Sequence, residues 1–280
     1  MSINKGETIM VISSATSIYF SPTGTTKKVI NAIVKGMGTT KNTLIDLNSS
    51  DVRNTFAPII DGDIVIIGVP VYEERIPEML YDFLTSLKGN EKPVVLIAVY
   101  GNFGDGRALN ELDSITKKSG FKVVAAGSFI GEHSFSTKEV PVQEGRPNFE
   151  DLSKAEEFGR IIIEKMKKIE NLNDALIKIP QGKLPLMARI LPKNSARIFT
   201  KTPFADMKIC NKCGACIKLC PMNAINKDTL DINENKCIRC FCCVKRCLKK
   251  ARKIVHKPKF LVSKVLTIKN RNAREPKTYL

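Results

Sequence analysis

Eight of the nine cysteines obey one spacing rule. Cys210, Cys213, Cys216 and Cys220 read C-x2-C-x2-C-x3-C before Pro221, and Cys237, Cys240, Cys243 and Cys247 repeat the pattern; no cysteine precedes Cys210. Thiolates are soft donors suited to zinc, copper(I) and iron-sulfur clusters. Three cysteines separated by two residues each let a tight loop wrap one face of an iron-sulfide cube. Zinc sites favour two well-separated C-x2-C pairs and would leave four of these cysteines unexplained. The opening "MSINKGETIMVISSATS" has an apolar patch, "IMVI", too short for a secretory signal. The chain is therefore expected in the cytoplasm, where cysteines serve as metal ligands or redox groups rather than disulfides. Only Cys243 preserves the x3 interval to Cys247, so Cys242 is expected to be a packed, non-ligating thiol, and Leu248 stands where the first motif has Pro221.

A second stretch with chemical potential lies near the other end, in "YFSPTGTTKKVI". It predicts a strand, then Ser21-Pro22-Thr23-Gly24-Thr25-Thr26, then a helix. Hydroxyls and free backbone N–H groups at a helix N-terminus cradle phosphate, and Gly24 permits close backbone approach. No lysine follows as in a Walker A loop, which argues for a monophosphate rather than a nucleoside triphosphate.

The elements that must position these groups alternate in the manner of a doubly wound sheet. Apolar runs predict strands over 16–20, 42–47, 63–69, 93–100 and 121–130, and amphipathic segments predict helices over 25–37, 77–88 and 106–119, with a weaker one at 51–56. Strands that are continuously apolar belong to parallel sheets buried on both faces. Residues 148–172 predict a long closing helix with acids first and lysines last, as the helix dipole favours. The expected units are a first domain over 1–172, a basic, proline-dotted linker or strap over 173–205, the cysteine module over 206–251 and a basic tail over 252–280.

Over about 208–251 the sequence resembles the bacterial two-cluster ferredoxin, a small α+β domain. That resemblance implies two 4Fe-4S clusters with crossed ligation, because the fourth cysteine of each motif serves the other cluster. One cluster would use Cys210, Cys213, Cys216 and Cys247; the other would use Cys237, Cys240, Cys243 and Cys220. The Ser21–Thr26 string is similar to the flavodoxin phosphate loop, S/T-x-T-G-x-T, at the first strand of a five-stranded α/β sheet of order 2-1-3-4-5. This implies FMN, with phosphate on Ser21, Thr23, Gly24, Thr25 and Thr26. The flavin ring would lie between Pro70, Val71 and Tyr72 after the third strand and the loop Tyr100, Gly101, Asn102, Phe103, Gly104 and Asp105 after the fourth. Tyr72 and Tyr100 could stack on it, and His133 would lie at the ring edge or in a structural loop. "GNFGDG" has the wrong glycine order and place for a dinucleotide fingerprint. Together, the two halves resemble the flavodoxin-ferredoxin fusion proteins of anaerobic bacteria and archaea. The family tends to carry "YAGRIP" where this chain has Tyr72-Glu73-Glu74-Arg75-Ile76-Pro77. Glu73 and Glu74 would then either lie near the ring, disfavouring its reduced anion, or face solvent and pair with basic groups such as Arg75.

The expected function is electron transfer between the clusters and FMN, favoured over a dedicated enzyme; an enzyme here would be an FMN/iron-sulfur oxidoreductase. Two alternatives from other classes remain: a flavin-dependent reductase of a small acceptor such as a quinone, and a binder of nucleic acid or anionic surfaces. The net charge of +17 sits wholly in the second half, since residues 1–150 carry 15 Lys+Arg against 17 Asp+Glu and residues 151–280 carry 30 against 11. The tail offers only Phe260 and Tyr279 for base stacking, so an acidic redox protein is a better expected partner than nucleic acid. No apolar run approaches the length of a membrane span. The sequence sets no oligomeric state.

Overall fold

The computed structural model describes residues 10–55, 59–184, 194–271 and 274–280. Residues 1–9, including most of the N-terminal extension, and 185–193 of the strap lie outside that set. The first domain runs β1 (Ser14–Tyr19), α1 (Thr25–Met37), β2 (Lys41–Asp46), α2 (Ser50–Asn54), β3 (Ile64–Pro70), α3 (Tyr81–Ser86), β4 (Pro93–Tyr100), α4 (Ala108–Lys118), β5 (Lys122–Ile130) and α5 (Phe149–Lys167). These five strands are parallel, in the order β2-β1-β3-β4-β5 expected from the sequence.

Strands β3, β4 and β5 are buried along almost their whole length, as their unbroken apolar runs require, whereas β2 leaves Lys41, Thr43 and Leu44 exposed at the sheet edge. One core lies between the sheet and α3 and α4, around Ile67, Leu96, Phe83 and Leu112; the other lies under α1 and α5, around Ile30, Ile97, Phe158 and Ile162. Helices α1 and α5 approach closely at two glycines. A methyl on Gly36 would lie 1.8 Å from the Glu156 carbonyl oxygen, and one on Gly159 would lie 2.1 Å from that of Ile33. Helix α5 opens with a capping box: the Asn148 side chain accepts from the Asp151 N–H, and the Asp151 carboxylate accepts from the Asn148 N–H.

The sheet differs from the expected five strands by a sixth. β6 (Lys277–Tyr279) lies antiparallel on β5, pairing Ala126 with Tyr279 and Ser128 with Lys277. It covers an edge that would otherwise present unpaired backbone groups. The preceding α9 (Lys259–Asn270) buries Val262 and Leu266 against Val140 and Val142, so most of the basic tail is folded onto the first domain. The strap packs as well: the Ile177 N–H donates to the Val123 carbonyl, and Asn110 bonds both the Pro180 carbonyl and the Gly182 N–H. Past the undescribed stretch comes α6 (Ala196–Phe199), then the cysteine module with its two short helices, α7 (Ala215–Lys218) and α8 (Cys242–Lys245).

Candidate functional site

The cysteine module is a pair of similar halves. An antiparallel bridge between Ala205 and Arg252 lays the segment after Cys247 beside the segment before Cys210, and a bridge between Ile225 and Ile232 does the same for Cys220 and Cys237. Backbone bonds reinforce each: Asp206 N–H to the Ala251 carbonyl at 2.8 Å, and Asn233 N–H to the Ala224 carbonyl at 2.8 Å. The halves match in detail. The Ala224 N–H points at Cys220 Sγ at 3.4 Å and the Ala251 N–H at Cys247 Sγ at 3.3 Å.

Among the described residues, no three His, Cys, Asp or Glu side chains converge on a single-ion position. Cys220, Cys237, Cys240, Cys242 and Cys243 instead line one largely apolar cavity, together with Ile225 and Ile232. The four of these thiols that keep the motif spacing, all but Cys242, are the donor set a cubane needs. Burial pushes the Cys243 thiol up to about 12 and the Cys240 thiol well above its usual range, so thiolates there require compensating positive charge such as iron supplies. Cys242 is buried too, and its S–H donates to the Leu219 carbonyl at 3.4 Å. Cys210, Cys216 and Cys247 are half-buried and Cys213 is exposed.

A buried arginine, Arg239, lines this cavity and two more, Arg53 and Arg252, stand behind its proline walls; the spacing rules for cysteine gave no hint of them. Arg239, between Cys237 and Cys240, is 5% exposed and its Nε and Nη1 have no partner. Arg252 donates to the Pro203 and Leu230 carbonyls. Arg53, from α2 of the first domain, donates to the carbonyls of Leu47, Asn48 and Pro221 and lies over the Phe20 ring, 5.8 Å from its centroid.

Arg53 marks the junction of the two units, which forms at the C-terminal ends of the strands. Asn223 Nδ2 donates to Ser50 Oγ at 2.8 Å, and Lys245 pairs with Glu132 and donates to the Ser136 carbonyl. Phe241 stands between Cys240 and Cys242 with φ 57°, where the first motif has Gly214 at φ 73°. A bulky residue in that left-handed conformation costs about 1–2 kcal/mol. Burial of its ring, edge-on to Phe135 at 5.4 Å, offsets that cost. Ring contacts then run from Phe135 to His133 at 5.1 Å and from His133 to Phe103 at 4.9 Å. His133 is held neutral, its pKa lowered to about 4 by burial and then by Lys245 and His256, and its Nδ1 accepts from the Phe135 N–H.

The structure places the Ser21–Thr26 loop at the start of α1, where the first-turn N–H groups have no intrahelical partner. Ser21 Oγ accepts from the Lys27 N–H, Thr23 Oγ1 and Thr25 Oγ1 are 3.4 Å apart, and Gly24 holds φ 95°. Thr26 is fully buried and its Oγ1 has no partner, which suits a loop shaped for phosphate oxygens. Sequence reasoning missed Arg246, whose Nη1 would lie 3.4 Å from a methyl on Gly24. The cysteine module thus presents a cation to the loop.

The residues expected around a flavin ring divide. The Val71 N–H extends the sheet to the Val99 carbonyl after Pro70. Tyr72 packs edge-on against Phe20 at 6.5 Å, and its hydroxyl pKa is raised by burial and then by Cys240 and Cys242. Tyr100 is 2% exposed beneath the C-terminal segment, donating to the Glu275 carbonyl at 3.4 Å. Gly101 lies against His133. Asn102 is buried and accepts from the Arg274 N–H, Asp105 pairs with Lys277 at 2.9 Å, and Gly104 faces Arg274 and Glu74. Glu73 is exposed, as the solvent-facing expectation has it, but it does not pair with Arg75: its carboxylate accepts from Ser195 Oγ and from the Asn194 and Ala196 N–H groups at the start of α6, while Arg75 pairs with Glu111. Both glutamates have positive φ, 54° and 65°, in the tight turn closed by Tyr72 and Arg75.

The model of the flavodoxin domain family matches residues 17–173, and that of the 4Fe-4S dicluster domain matches residues 202–248. No curated protein matches the chain. Solved structures similar to the first domain include a flavodoxin from the domain Archaea, 18% identical with a TM-score of 0.37, covering 55% of this chain and 99% of that one. Flavodoxin 1 from Bacillus cereus is 18% identical with a TM-score of 0.39, covering 54% and 98%. The flavodiiron core of Flv1 from Synechocystis sp. PCC6803 is 17% identical with a TM-score of 0.39, covering 59% of this chain and 37% of that one. With more than half of its residues matched by one family model and its cysteine module by another, the chain belongs to the flavodoxin domain family and carries a 4Fe-4S dicluster domain fused behind it.

Proposed function

We propose that the protein is an electron relay in which two 4Fe-4S clusters and one FMN exchange electrons with a separate redox protein. The observation that carries this reading is the junction: the cysteine loop around Phe241 packs, through Phe135 and His133, against Phe103 in the loop after β4. When bound, the clusters supply one-electron exchange and FMN supplies exchange of one or two electrons. The chain's own residues bind and position. Cys210, Cys213, Cys216 and Cys247 would hold one cluster; Cys237, Cys240, Cys243 and Cys220 would hold the other. Ser21, Thr23, Gly24, Thr25 and Thr26 would hold the FMN phosphate, with Arg246 adding charge from the second unit. Phe241 and Phe20 are buried, and Tyr72 packs edge-on against Phe20. No described helix is long and apolar enough to cross a membrane. The excess of basic residues in the second half suits a partner with an acidic face.

One observation favours the reductase alternative: a cavity of about 380 Å³ beside Phe103 and Gly104, bordered by Lys183, Arg274 and Tyr279, is large enough for a small acceptor. A steady-state assay under anaerobic conditions, with dithionite as reductant and either an acidic flavodoxin or a benzoquinone as acceptor, separates the two. The relay predicts faster transfer to the acidic protein, with a rate that falls as salt rises. Saturable quinone reduction that outpaces transfer to the protein would replace the relay with a reductase.

A further inference from the structure

The two cysteine motifs place a basic residue at the same point of the same turn, and its surroundings differ sharply. Lys212 follows Cys210 by two residues with φ 54°, and Arg239 follows Cys237 by two residues with φ 55°. Lys212 is exposed, beside the exposed Cys213. Arg239 is 5% exposed and lines the cavity ringed by Cys220, Cys237, Cys240 and Cys243. Its Nε and Nη1 meet no acceptor, and its Nη2 lies 3.6 Å from Glu234, a carboxylate whose side chain is 72% exposed. Buried guanidinium N–H groups without acceptors are costly. An anion in the cavity would remove that cost.

The two other buried arginines act on the same space. Arg53 is bound to the Pro221 carbonyl and Arg252 to the Pro203 carbonyl, and both prolines line the cavity. Among the described residues Arg53 and Arg252 donate to carbonyl oxygens, apart from a long contact of Arg53 to Met222 Sδ, and neither has an ion pair there. One guanidinium therefore lines the cavity and two more stand behind its proline walls; of the three, only Arg239 has a carboxylate nearby, and that one faces water. Among the described residues no other arginine or lysine is buried.

We infer that Arg239, backed by Arg53 and Arg252, makes the cluster site of Cys220, Cys237, Cys240 and Cys243 the higher in reduction potential of the two, so that an electron entering from a one-electron donor settles at the site nearest the flavin loops. This rests on the relay proposed above. An added electron makes a cluster more negative, and nearby cations and N–H groups directed at its sulfurs favour that charge. Burial acts in the opposite direction, by disfavouring the added charge. The cations prevail because the same low dielectric that penalises the charge leaves their attraction weakly screened. The transfer balances simply: the outer site loses one electron and the inner site gains it, with no proton or bond change at Arg239.

The test is an anaerobic redox titration followed by electron paramagnetic resonance on the wild type, Arg239→Met and Arg239→Lys, with iron and sulfide measured on each. The wild type should show two cluster midpoints. Arg239→Met should lower the higher one and leave the other in place at unchanged iron content, and Arg239→Lys should recover part of the difference. Unchanged midpoints in Arg239→Met, or a shift in the lower one alone, would overturn the inference while leaving the relay intact. Loss of iron in both variants would also overturn it, making Arg239 a structural support. A wild type that binds fewer than two clusters fails the relay itself.

Discussion

Cys220→Ser should remove the iron held by the second motif and spare the iron held by its own. Cys220 lies in the first motif, yet the bridge from Ile225 to Ile232 turns its segment toward Cys237, and its thiol lines the cavity shared with Cys237, Cys240 and Cys243. Weakening one ligand of four leaves the iron open to exchange and loss. Iron should fall from about eight to about four per chain, with one of two cluster signals lost from the resonance spectrum. Cys242→Ser is the control, because a hydroxyl can still donate to the Leu219 carbonyl and the iron content should stay at the wild-type level. Loss of the signal belonging to Cys210, Cys213 and Cys216 in Cys220→Ser would show that ligation is not crossed, and iron loss in Cys242→Ser would make that thiol a ligand.

Thr23→Glu should abolish flavin binding without affecting the clusters. The loop before α1 has no acidic residue in the helix's first turn, a left-handed Gly24 and the unpartnered hydroxyl of Thr26. A glutamate there places negative charge where the phosphate would lie. Two like charges about 4 Å apart at a partly desolvated site repel by about 4 kcal/mol, which corresponds to roughly a thousandfold loss of affinity. Flavin released by acid from purified Thr23→Glu should drop to trace while iron and sulfide match wild type, and Thr23→Ser should retain flavin. Unaltered flavin in Thr23→Glu would remove this loop from the site.

Much of this was legible because the signals are local. Unbroken apolar runs mark β3, β4 and β5 as strands buried on both faces, and their spacing leaves room only for helical crossovers. The cysteine intervals needed no tertiary information. What stayed hidden depends on contacts between distant residues. Lys277–Tyr279 is three residues of a basic tail, and only pairing with Ala126–Ser128 makes it a strand. Arg53 sits in a short, weakly patterned helix, and nothing near it in sequence announces a bond to the Pro221 carbonyl 168 positions away. The turn around Glu73 gives no sign of its partners, which lie within the strap at Asn194, Ser195 and Ala196. Arg246 looked like one more basic residue in a basic stretch, and only docking of the module brings it to Gly24. One signal was available: Phe241 occupies the place of Gly214, and a large aromatic in a glycine position points to packing against a neighbour.

The central claim is that one chain holds two cubanes and a flavin mononucleotide. Protein purified under strict exclusion of oxygen should yield about eight irons and eight labile sulfides per chain, together with one equivalent of FMN released on denaturation. Zinc in place of iron, or a full complement of iron with no flavin, would contradict it.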